Sequence, residues 1–408
     1  MRKIVLFSAA FPPEPIVSAK ISYDIAKELS KNNIVTVVHP CPSRPLQFQF
    51  VKKIEDFPFK VKVVDSYTCP ESRLFGRIRE TFSFGQKCKT YIKHNHNEID
   101  IIYMNAWPLL AQFLILSTAK KYDIKVIAHV QDIYPESYTN KLPTPIKQFL
   151  HWLLFPIDKY ILKNSFYIIA ISENMKKYLM ETRLIQPNKI SVVANWQDEN
   201  EFHNFHLGSK ETTSPKNLTF MYLGNIGPVA GVEFLIESFA ESKLSNAKLV
   251  IAGSGSMKEH CQNLSLKYAD SIIEFVDVPS GKVPEIQNKA DVMLLPIRKG
   301  AAMSSIPSKL PAYMFSQKPI IASVDADSDT ADSIHKSGCG WVVEPENKNQ
   351  LIALFKTIYE ECHELRAVKG MNGFNFAMER FSKKNNLQKI VSIIETPDII
   401  NSKHMRTS

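Results

Sequence analysis

Two loops in the C-terminal half of the chain combine small residues with groups that can bind an anion. The first, GNIGPVAG at 224–231, follows the apolar run LTFMYL. Gly224 and Gly227 would let the backbone approach a ligand closely, and the Asn225 amide offers both a hydrogen-bond donor and an acceptor. The alternative is a tight turn between a strand and a helix, which the glycines would serve equally well.

The second loop lies in AAMSSIPSKLPAYM at 301–314, between the apolar run VMLLPI and a helix that should begin near Pro307 to Lys309. The first turn of a helix exposes unpaired backbone N–H groups and a partial positive charge. Serine hydroxyls and a lysine ammonium group in the same loop predict phosphate binding rather than a capped helix with an exposed lysine. The candidate side chains are Ser304, Ser305, Ser308 and Lys309.

A polar cluster follows another apolar strand, in HVQDIYPES at 129–137. His129 can exchange a proton near neutral pH, and Asp132 can orient it or receive a proton from a hydroxyl group. Gln131 lies between them, and Glu14 is the acidic residue of the proline-rich loop after the first strand. A structural histidine is the other interpretation of this cluster.

These loops belong to a regular alternation of strands and helices. Candidate strands are 3–8, 34–39, 60–64, 100–104, 125–130, 166–171, 190–194, 218–223, 247–252, 272–276, 291–296, 319–323 and 340–343. Helical patterns between them include 18–31, 108–122, 173–180, 231–241, 283–289 and 347–365. Strands that are apolar on both faces and separated by helices predict parallel sheets, and two such series predict two doubly wound α/β domains. Ligands in such domains bind beyond the carboxyl ends of the strands, so two facing sheets would form a cleft.

The length of 408 residues suits two domains. The polar stretch HLGSKETTSPKN at 206–217 is the natural linker. We therefore place an N-terminal domain at 1–205 and a C-terminal domain from residue 206, and we expect a flexible tail at 396–408.

The net charge of +9 comes entirely from the first half, because Lys and Arg outnumber Asp and Glu 27 to 18 in residues 1–200 and match them 23 to 23 afterwards. Two segments of that half, 73–94 and 141–166, interleave basic with aromatic and aliphatic residues. Such helices can lie on an anionic membrane, although helices packed on their own sheet would show the same pattern. The balanced second half and the lack of a basic stripe with stacking aromatics argue against nucleic acid.

The sequence lacks the motifs that are typical of several other classes of protein. There is no dinucleotide fingerprint, Walker motif, HExxH pair or nucleophile elbow. The six cysteines show no metal-ligand spacing and are interpreted as free thiols, and DADSD at 325–329 is interpreted as a solvated acidic loop, so no metal site is predicted. The N-terminal run MRKIVLFSAAF is interpreted as a buried first strand rather than a signal peptide, and no apolar stretch reaches the ~18 residues of a membrane span.

Taken in order, several motifs resemble the family 4 retaining glycosyltransferases of GT-B fold, and more narrowly the bacterial polysaccharide-assembly branch that includes L-fucosamine transferases. The matching stretches are FPPEP, HVQDIYPES, VVANWQD, YLGNIGPVAGVEFLIESF, ADVMLLPI, PSKLPAYM with KPIIAS, and SGCGWVVEPEN. The resemblance implies an α/β architecture of two Rossmann-like domains facing across a cleft. It also implies a nucleotide-sugar-binding domain at 206–370 and a helix at 371–395 that crosses back to the acceptor-binding domain.

The resemblance also implies roles for particular positions. Donor-binding residues would be Gly224, Asn225, Gly227, Asp277, Val278, Arg298, Ser304, Ser305, Ser308 and Lys309. Catalytic roles would fall to His129, Asp132 and Lys309, and acceptor binding to Glu14 and Gln131. Asp277 and Val278 would flank the nucleotide base, and His129 would lie beside the reacting sugar.

Two departures from the family pattern concern the donor loops. Two glutamates that many relatives carry are replaced by Ser304 and Ala312, and an Arg and Lys pair by Asn225 and Ala230. We infer that Lys309, with Arg298 or Lys299, supplies the charge that the missing pair would provide.

The expected activity is transfer of a sugar with retention from a nucleotide sugar, preferably a UDP-sugar, to a lipid-diphosphate-linked or saccharide acceptor of capsule, O-antigen or exopolysaccharide synthesis. Cationic and N–H donors would stabilise the departing diphosphate, which would itself take the acceptor proton, and no further cofactor is expected. The expected location is cytoplasmic, on the inner face of a bacterial plasma membrane. Two alternatives are a nucleotide-sugar 2-epimerase of the same fold and a non-catalytic nucleotide-binding protein.

Overall fold

The structure is a computed structural model of the 408-residue chain. It describes residues 1–44, 56–70, 74–105, 108–139, 142–202, 218–279, 281–300 and 306–397. The loop serines Ser304 and Ser305 and the linker at 206–217 therefore lie outside the described residues, as does most of the tail beyond residue 396.

The described residues contain thirteen strands, and each lies where the sequence predicts one. They are β1 Lys3–Phe7, β2 Ile34–Pro40, β3 Lys60–Val64, β4 Ile101–Asn105, β5 Lys125–Val130, β6 Tyr167–Ala170, β7 Ile190–Val192, β8 Leu218–Leu223, β9 Ala247–Ala252, β10 Ile272–Val276, β11 Val292–Pro296, β12 Ile320–Ser323 and β13 Gly340–Val343. Five of them, β4, β6, β8, β11 and β12, are buried along their whole length, as expected for strands covered on both faces.

The helices lie between these strands. They are α1 Val17–Leu29, α2 Leu74–Asn95, α3 Leu109–Ala119, α4 Glu136–Thr139, α5 Thr144–Asn164, α6 Glu173–Arg183, α7 Val232–Ser242, α8 Lys258–Ser265, α9 Val283–Asn288, α10 Lys309–Phe315, α11 Asp329–Ser337, α12 Lys348–Glu360, α13 His363–Arg380 and α14 Lys383–Glu395. Local sequence explains several of their starts. Ser172, Ser328 and Asn347 each accept a hydrogen bond from a backbone N–H in the first turn of the helix that follows.

The strands form two parallel sheets, so the predicted α/β fold class with two doubly wound domains is confirmed. The first sheet has seven strands in the order β3-β2-β1-β4-β5-β6-β7, and the second has six in the order β10-β9-β8-β11-β12-β13. In each sheet the strand order reverses beside the first strand, between β1 and β4 and between β8 and β11. The loops after these strands are where a doubly wound sheet binds its ligand.

Each sheet has its own apolar core. In the first unit, β4, β5 and β6 pack with α3 and α5, and in the second unit β8, β9 and β11 pack with α7 and α12. Edge-to-face contacts among Phe220, Phe239 and Phe355 fill the centre of the second core, with ring centroids 4.8 to 6.0 Å apart.

Contacts divide the chain into a first unit of residues 1–195 and 386–408 and a second unit of residues 196–385. The sequence analysis drew these boundaries at 205 and 371. In the structure α13 belongs to the second unit, where it packs on α10 and α11, and Gly370 and Gly373 let it approach Gln317 and Cys339 closely. The chain returns to the first unit with α14, where Asn33 Nδ2 donates to Glu395 Oε1 at 2.6 Å.

Candidate functional site

In the second unit, three groups meet at the carboxyl end of β8. Lys309 Nζ donates to Tyr222 Oη at 2.8 Å and lies 4.8 Å from the centroid of that ring. Tyr222 Oη in turn donates to the Asn225 carbonyl oxygen at 2.6 Å. The side chain of Lys309, from the first turn of α10, is therefore held over the loop after β8 by a cation–π contact and a hydrogen bond.

A second tyrosine fixes α10 against the same strand. Tyr313 Oη donates to the Leu223 carbonyl oxygen at 2.7 Å and accepts from the Leu223 N–H at 3.0 Å. Tyr313 is fully buried, so these two hydrogen bonds satisfy its hydroxyl group and lock the helix in register with β8.

Glycines allow this close packing. A Cβ atom at residue 224 would lie 2.0 Å from Lys309 Cε, so the lysine stem occupies the space that any side chain there would need. A Cβ atom at residue 253 would lie 2.1 Å from the Gly224 carbonyl oxygen, and one at residue 255 would lie 2.3 Å from the Ile226 carbonyl oxygen. Gly253 and Gly255 thus bring the loop after β9 into backbone contact with the loop after β8.

Lys309 is a cation without a paired anion. Among the described residues no carboxylate forms an ion pair with it, and burial lowers its pKa to about 8. A lowered lysine pKa means that the ammonium form is destabilised relative to water, and a bound anion would remove that penalty. This corner of the second unit can therefore bind a phosphate group.

The other predicted donor residues that the structure describes differ in their exposure to solvent. Asn225 is exposed, Gly227 is buried, and Ser308 is an exposed residue that precedes α10 without capping it. Arg298 approaches Glu233 at 3.4 Å, beside a small pocket. That pocket is lined by Gly231, Glu233, Phe234, Pro296, Ile297, Arg298, Ser323 and Glu346.

The predicted base-flanking residues follow β10. Asp277 is exposed, and its Oδ1 accepts from Lys258 Nζ at 2.6 Å. Val278 is half-buried. In the acidic loop after β12, Asp325 Oδ2 accepts from the Gly300 N–H at 2.9 Å and so ties that loop to the loop after β11.

In the first unit, His129 lies near the end of β5, as the sequence predicts. It is fully buried, and its Nδ1 lies 2.5 Å from Tyr103 Oη on β4. Burial lowers its pKa to about 3, so His129 is neutral at physiological pH. The expectation that this imidazole exchanges a proton near neutral pH is wrong, because the protein interior cannot solvate the imidazolium ion.

Gln131 and Asp132 follow β5 and are half-buried. Gln131 Nε2 has no hydrogen-bond partner among the described residues. The loop that carries them is anchored by an ion cluster which the sequence analysis missed. Arg183, fully buried at the end of α6, binds Glu136 at 2.7 Å and Asp158 at 2.9 Å and also donates to the Tyr134 carbonyl oxygen.

Arg183 acts on the pKa of both carboxyl groups in this cluster. Arg183 lowers the pKa of Glu136 although burial opposes the shift, whereas burial outweighs Arg183 at Asp158 and raises the pKa of that carboxyl group to about 6. No spacing rule links residues 136, 158 and 183, so the sequence offered no signal for the cluster.

Glu14 is buried after β1 and joins the loops after the first two strands. Its Oε1 accepts from the Ser43 and Arg44 backbone N–H groups at 2.7 and 3.0 Å, while burial raises its pKa. Arg44 also binds Glu80 on α2 through both carboxylate oxygens, at 2.7 and 2.8 Å. Glu14 Oε2 has no hydrogen-bond partner in the described part of the chain.

The two basic amphipathic segments form α2 and α5, and α3 packs against both. Each carries large apolar side chains on its outer face. On α2 these are Phe75, Ile78 and Phe82, and on α5 they are Ile146, Phe149, Trp152 and Leu153. Phe75 is 83% exposed and Trp152 is 71% exposed, so the alternative interpretation, in which these faces pack on the unit's own sheet, does not hold at these positions.

The described residues contain no group of three or more His, Cys, Asp or Glu side chains placed to hold a metal ion. None of their helices has the length and apolar character that crossing a bilayer requires.

Comparison with known proteins agrees with this geometry. Residues 19–201 match the family model described as Glycosyltransferase Family 4, and residues 217–361 match the one described as Glycosyl transferases group 1. The chain is 21% identical over 338 residues to the probable glycosyltransferase WbjE of Pseudomonas aeruginosa, covering 79% of this chain and 80% of that protein. It is 30% identical over 118 residues to the capsular polysaccharide biosynthesis glycosyltransferase CapM of Staphylococcus aureus, covering 27% of this chain and 31% of CapM.

Solved structures share the fold. A sucrose-phosphate synthase from Thermosynechococcus elongatus superposes with a TM-score of 0.72 at 13% identity, covering 97% of this chain and 99% of the synthase. HepE from Anabaena, in complex with UDP and glucose, superposes with a TM-score of 0.67 at 14% identity, covering 97% of this chain and 100% of HepE. The protein is a glycosyltransferase of the group 1 and family 4 type with the GT-B fold.

Proposed function

We propose that this glycosyltransferase moves a sugar, with retention of its anomeric configuration, from a UDP-sugar to a lipid-diphosphate-linked saccharide in the synthesis of a capsule, O-antigen or exopolysaccharide. The observation that carries the donor half of this proposal is Lys309, a half-buried ammonium group without an ion pair among the described residues, at the strand edge where a doubly wound sheet binds ligands.

A nucleoside diphosphate is the ligand that such a lysine suits best. The charge on its β-phosphate grows as the glycosidic bond breaks, and a preplaced cation stabilises that charge most in the transition state. HepE, which shares the fold, is solved with UDP and glucose, which supports uridine as the base. The polysaccharide pathway is supported by the name of CapM.

Retention follows in this proposal from same-face attack. The acceptor hydroxyl attacks the anomeric carbon on the side from which the diphosphate departs, and the departing phosphate takes the hydroxyl proton. Burial lowers the pKa of His129 to about 3 and so makes its imidazole a weak base, and it therefore acts by hydrogen bonding to the sugar rather than as a general base. Glu14, Gln131 and Asp132 belong to loops of the first unit that would hold the acceptor.

The outer faces of α2 and α5 would bring the enzyme to a lipid-linked acceptor. Their exposed aromatic rings suit the interfacial layer of a bilayer, and basic side chains on the same helices suit anionic headgroups. These residues include Arg77, Arg79, Lys87 and Lys89 on α2 and Lys147 and Lys159 on α5. We therefore propose peripheral binding to the inner face of a bacterial plasma membrane.

Nucleotide binding tests the donor half of the proposal. UDP at millimolar concentration should raise the melting temperature of the wild-type protein, and Lys309→Ala should weaken UDP binding about tenfold or more because the diphosphate loses its cation. Lys318→Ala is the matched control. Lys318 is also partly buried and has a lowered pKa, but it precedes β12 and so lies at the amino end of that strand, away from the carboxyl ends where the ligand would bind. GDP and ADP run in parallel identify the base. Absence of any shift with all three nucleotides would contradict the proposal.

A further inference from the structure

Three buried oxygen atoms of the first unit have no hydrogen-bond partner among the described residues, and they lie on three different loops. They are Glu14 Oε2 after β1, Ser43 Oγ after β2 and Ser66 Oγ after β3. The strand order β3-β2-β1 makes these loops neighbours at the carboxyl edge of the first sheet. A buried polar group without a partner is destabilising, so three such groups at one edge indicate a place for a polar ligand.

Hydrogen bonds hold the three loops together. Glu14 Oε1 accepts from the Ser43 and Arg44 backbone N–H groups at 2.7 and 3.0 Å, which joins the loops after β1 and β2. Arg44 Nη2 donates to the Cys69 carbonyl oxygen at 3.1 Å, which ties the loop after β2 to the loop that contains Ser66. The second oxygen of the Glu14 carboxyl group is therefore held in place before any ligand arrives.

The charges around Glu14 disfavour an anionic ligand. Glu80 on α2 binds Arg44 through both carboxylate oxygens, at 2.7 and 2.8 Å, and also binds Arg77 at 3.2 Å. Both guanidinium groups thus already contact a carboxylate of the protein. Burial raises the pKa of Glu14, and the charge of Glu80 adds to this effect although Arg44 opposes it. A bound diphosphate would bring further negative charge to two carboxyl groups that already repel each other.

The hydrogen-bonding capacity of the three side chains favours hydroxyl groups. The Glu14 carboxylate only accepts hydrogen bonds, whereas each serine hydroxyl group can donate and accept. A sugar hydroxyl can donate to Glu14 and accept from a serine, but a diphosphate diester has no proton to donate. We propose that Glu14, Ser43 and Ser66 bind the saccharide part of the acceptor through its hydroxyl groups, and that the acceptor's diphosphate binds outside this edge. This inference rests on the proposed function, which supplies an acceptor made of sugar and diphosphate.

Saturation-transfer NMR on the full-length protein tests this subsite without UDP. Glucose, galactose, mannose, fucose, N-acetylglucosamine and N-acetylgalactosamine are titrated separately, and we expect at least one of them to bind. Glu14→Gln replaces the accepting oxygen by a donating amide group and should weaken that binding about tenfold. Ser43→Ala and Ser66→Ala remove only a hydroxyl group and should each weaken it about threefold. Glu173→Gln, at an exposed position of the same unit, is the matched control and should leave the affinity unchanged.

Inorganic pyrophosphate tests the exclusion of diphosphate, and it should not displace the bound sugar. Absence of binding by all six sugars, equal affinities in Glu14→Gln and the wild type, or displacement by pyrophosphate would each overturn the proposal. This failure is distinguishable from failure of the proposed function. If a sugar binds at this edge while UDP does not bind the protein, the donor half of the proposed function fails and the subsite remains. If UDP binds and none of the sugars does, only the subsite fails.

Discussion

At the scale of single residues, the environment of Lys309 supports the proposal that this lysine supplies the charge of the missing cation pair. Its stem lies on Gly224 and its ammonium group on the Tyr222 ring, so the charge is poorly hydrated before any ligand arrives. An anion then gains a charge-assisted hydrogen bond in a medium where Coulomb interactions are stronger than in water.

The lowered pKa of Lys309 predicts how UDP binding depends on pH. The ammonium form binds the diphosphate, and in the free protein this form is lost as pH rises through about 8. UDP affinity should therefore fall about tenfold between pH 7 and pH 9, as measured by calorimetry. Lys309→Arg keeps its charge over this range and should show no such fall. A flat wild-type profile would contradict this assignment.

The lowered pKa of Lys309, which favours UDP binding, also lowers the stability of the ligand-free fold. Because the pKa of Lys309 is lower in the folded than in the unfolded chain, its ammonium form destabilises the fold below about pH 8, and this penalty is lost as pH rises toward the ordinary lysine value. Lys309→Met should accordingly raise the melting temperature at pH 7 while weakening UDP binding. Scanning calorimetry at pH 7 measures the first effect, and an unchanged or lower melting temperature would contradict it.

At the scale of elements, the loops after β8 and β9 are joined by backbone hydrogen bonds. Gly224 N donates to the Ala252 carbonyl oxygen at 2.9 Å, and Ile226 N donates to the Ser254 carbonyl oxygen at 2.8 Å. The glycines of the stretch GSGS at 253–256 allow this contact. Its role is to shape the candidate phosphate-binding loop from behind.

Gly253→Ala tests the coupling of these loops. The new Cβ would meet the Gly224 carbonyl oxygen at 2.1 Å, in a backbone conformation with φ of +134° that side chains disfavour. We expect a loss of about 2–4 kcal/mol in the free energy of unfolding, measured by urea denaturation, together with weaker UDP binding. Gly300→Ala is the control, because its φ of +77° carries strain but no atom lies within 4 Å of the new Cβ. Equal losses of unfolding free energy in both variants would show that the contact with the Gly224 carbonyl oxygen is not the cause.

At the scale of the whole molecule, charge and exposed apolar surface are both concentrated in the N-terminal half of the chain. The excess of nine positive charges lies in residues 1–200, where α2 and α5 carry exposed aromatic side chains. A sugar acceptor attached to a lipid diphosphate would be reached most readily by an enzyme that rests on the membrane with this surface.

Flotation with liposomes tests this surface. The wild-type protein should float with vesicles that contain phosphatidylglycerol, and less so in high salt, since screening weakens the attraction to headgroups. Phe149→Glu combined with Trp152→Glu should abolish flotation. Leu365→Glu combined with Val368→Glu, at exposed apolar positions of α13 in the other unit, should leave it unchanged. Equal behaviour of the two double variants would contradict the proposed membrane face.

The sequence by itself determined the strands, their parallel order, the two-unit architecture and the loops that could bind a ligand, because apolar runs and turn residues are local signals. Only the tertiary structure decided which polar groups are buried and what they contact. Lys309 meets Tyr222 across 87 positions, and Tyr103 meets His129 across 26. Burial of this kind sets the charge of a lysine or a histidine, and it depends on neighbours that are distant in the chain. The sequence therefore indicated which loops could bind a ligand, and the packing made His129 neutral and added Tyr222 and Arg183 to the residues that shape these loops.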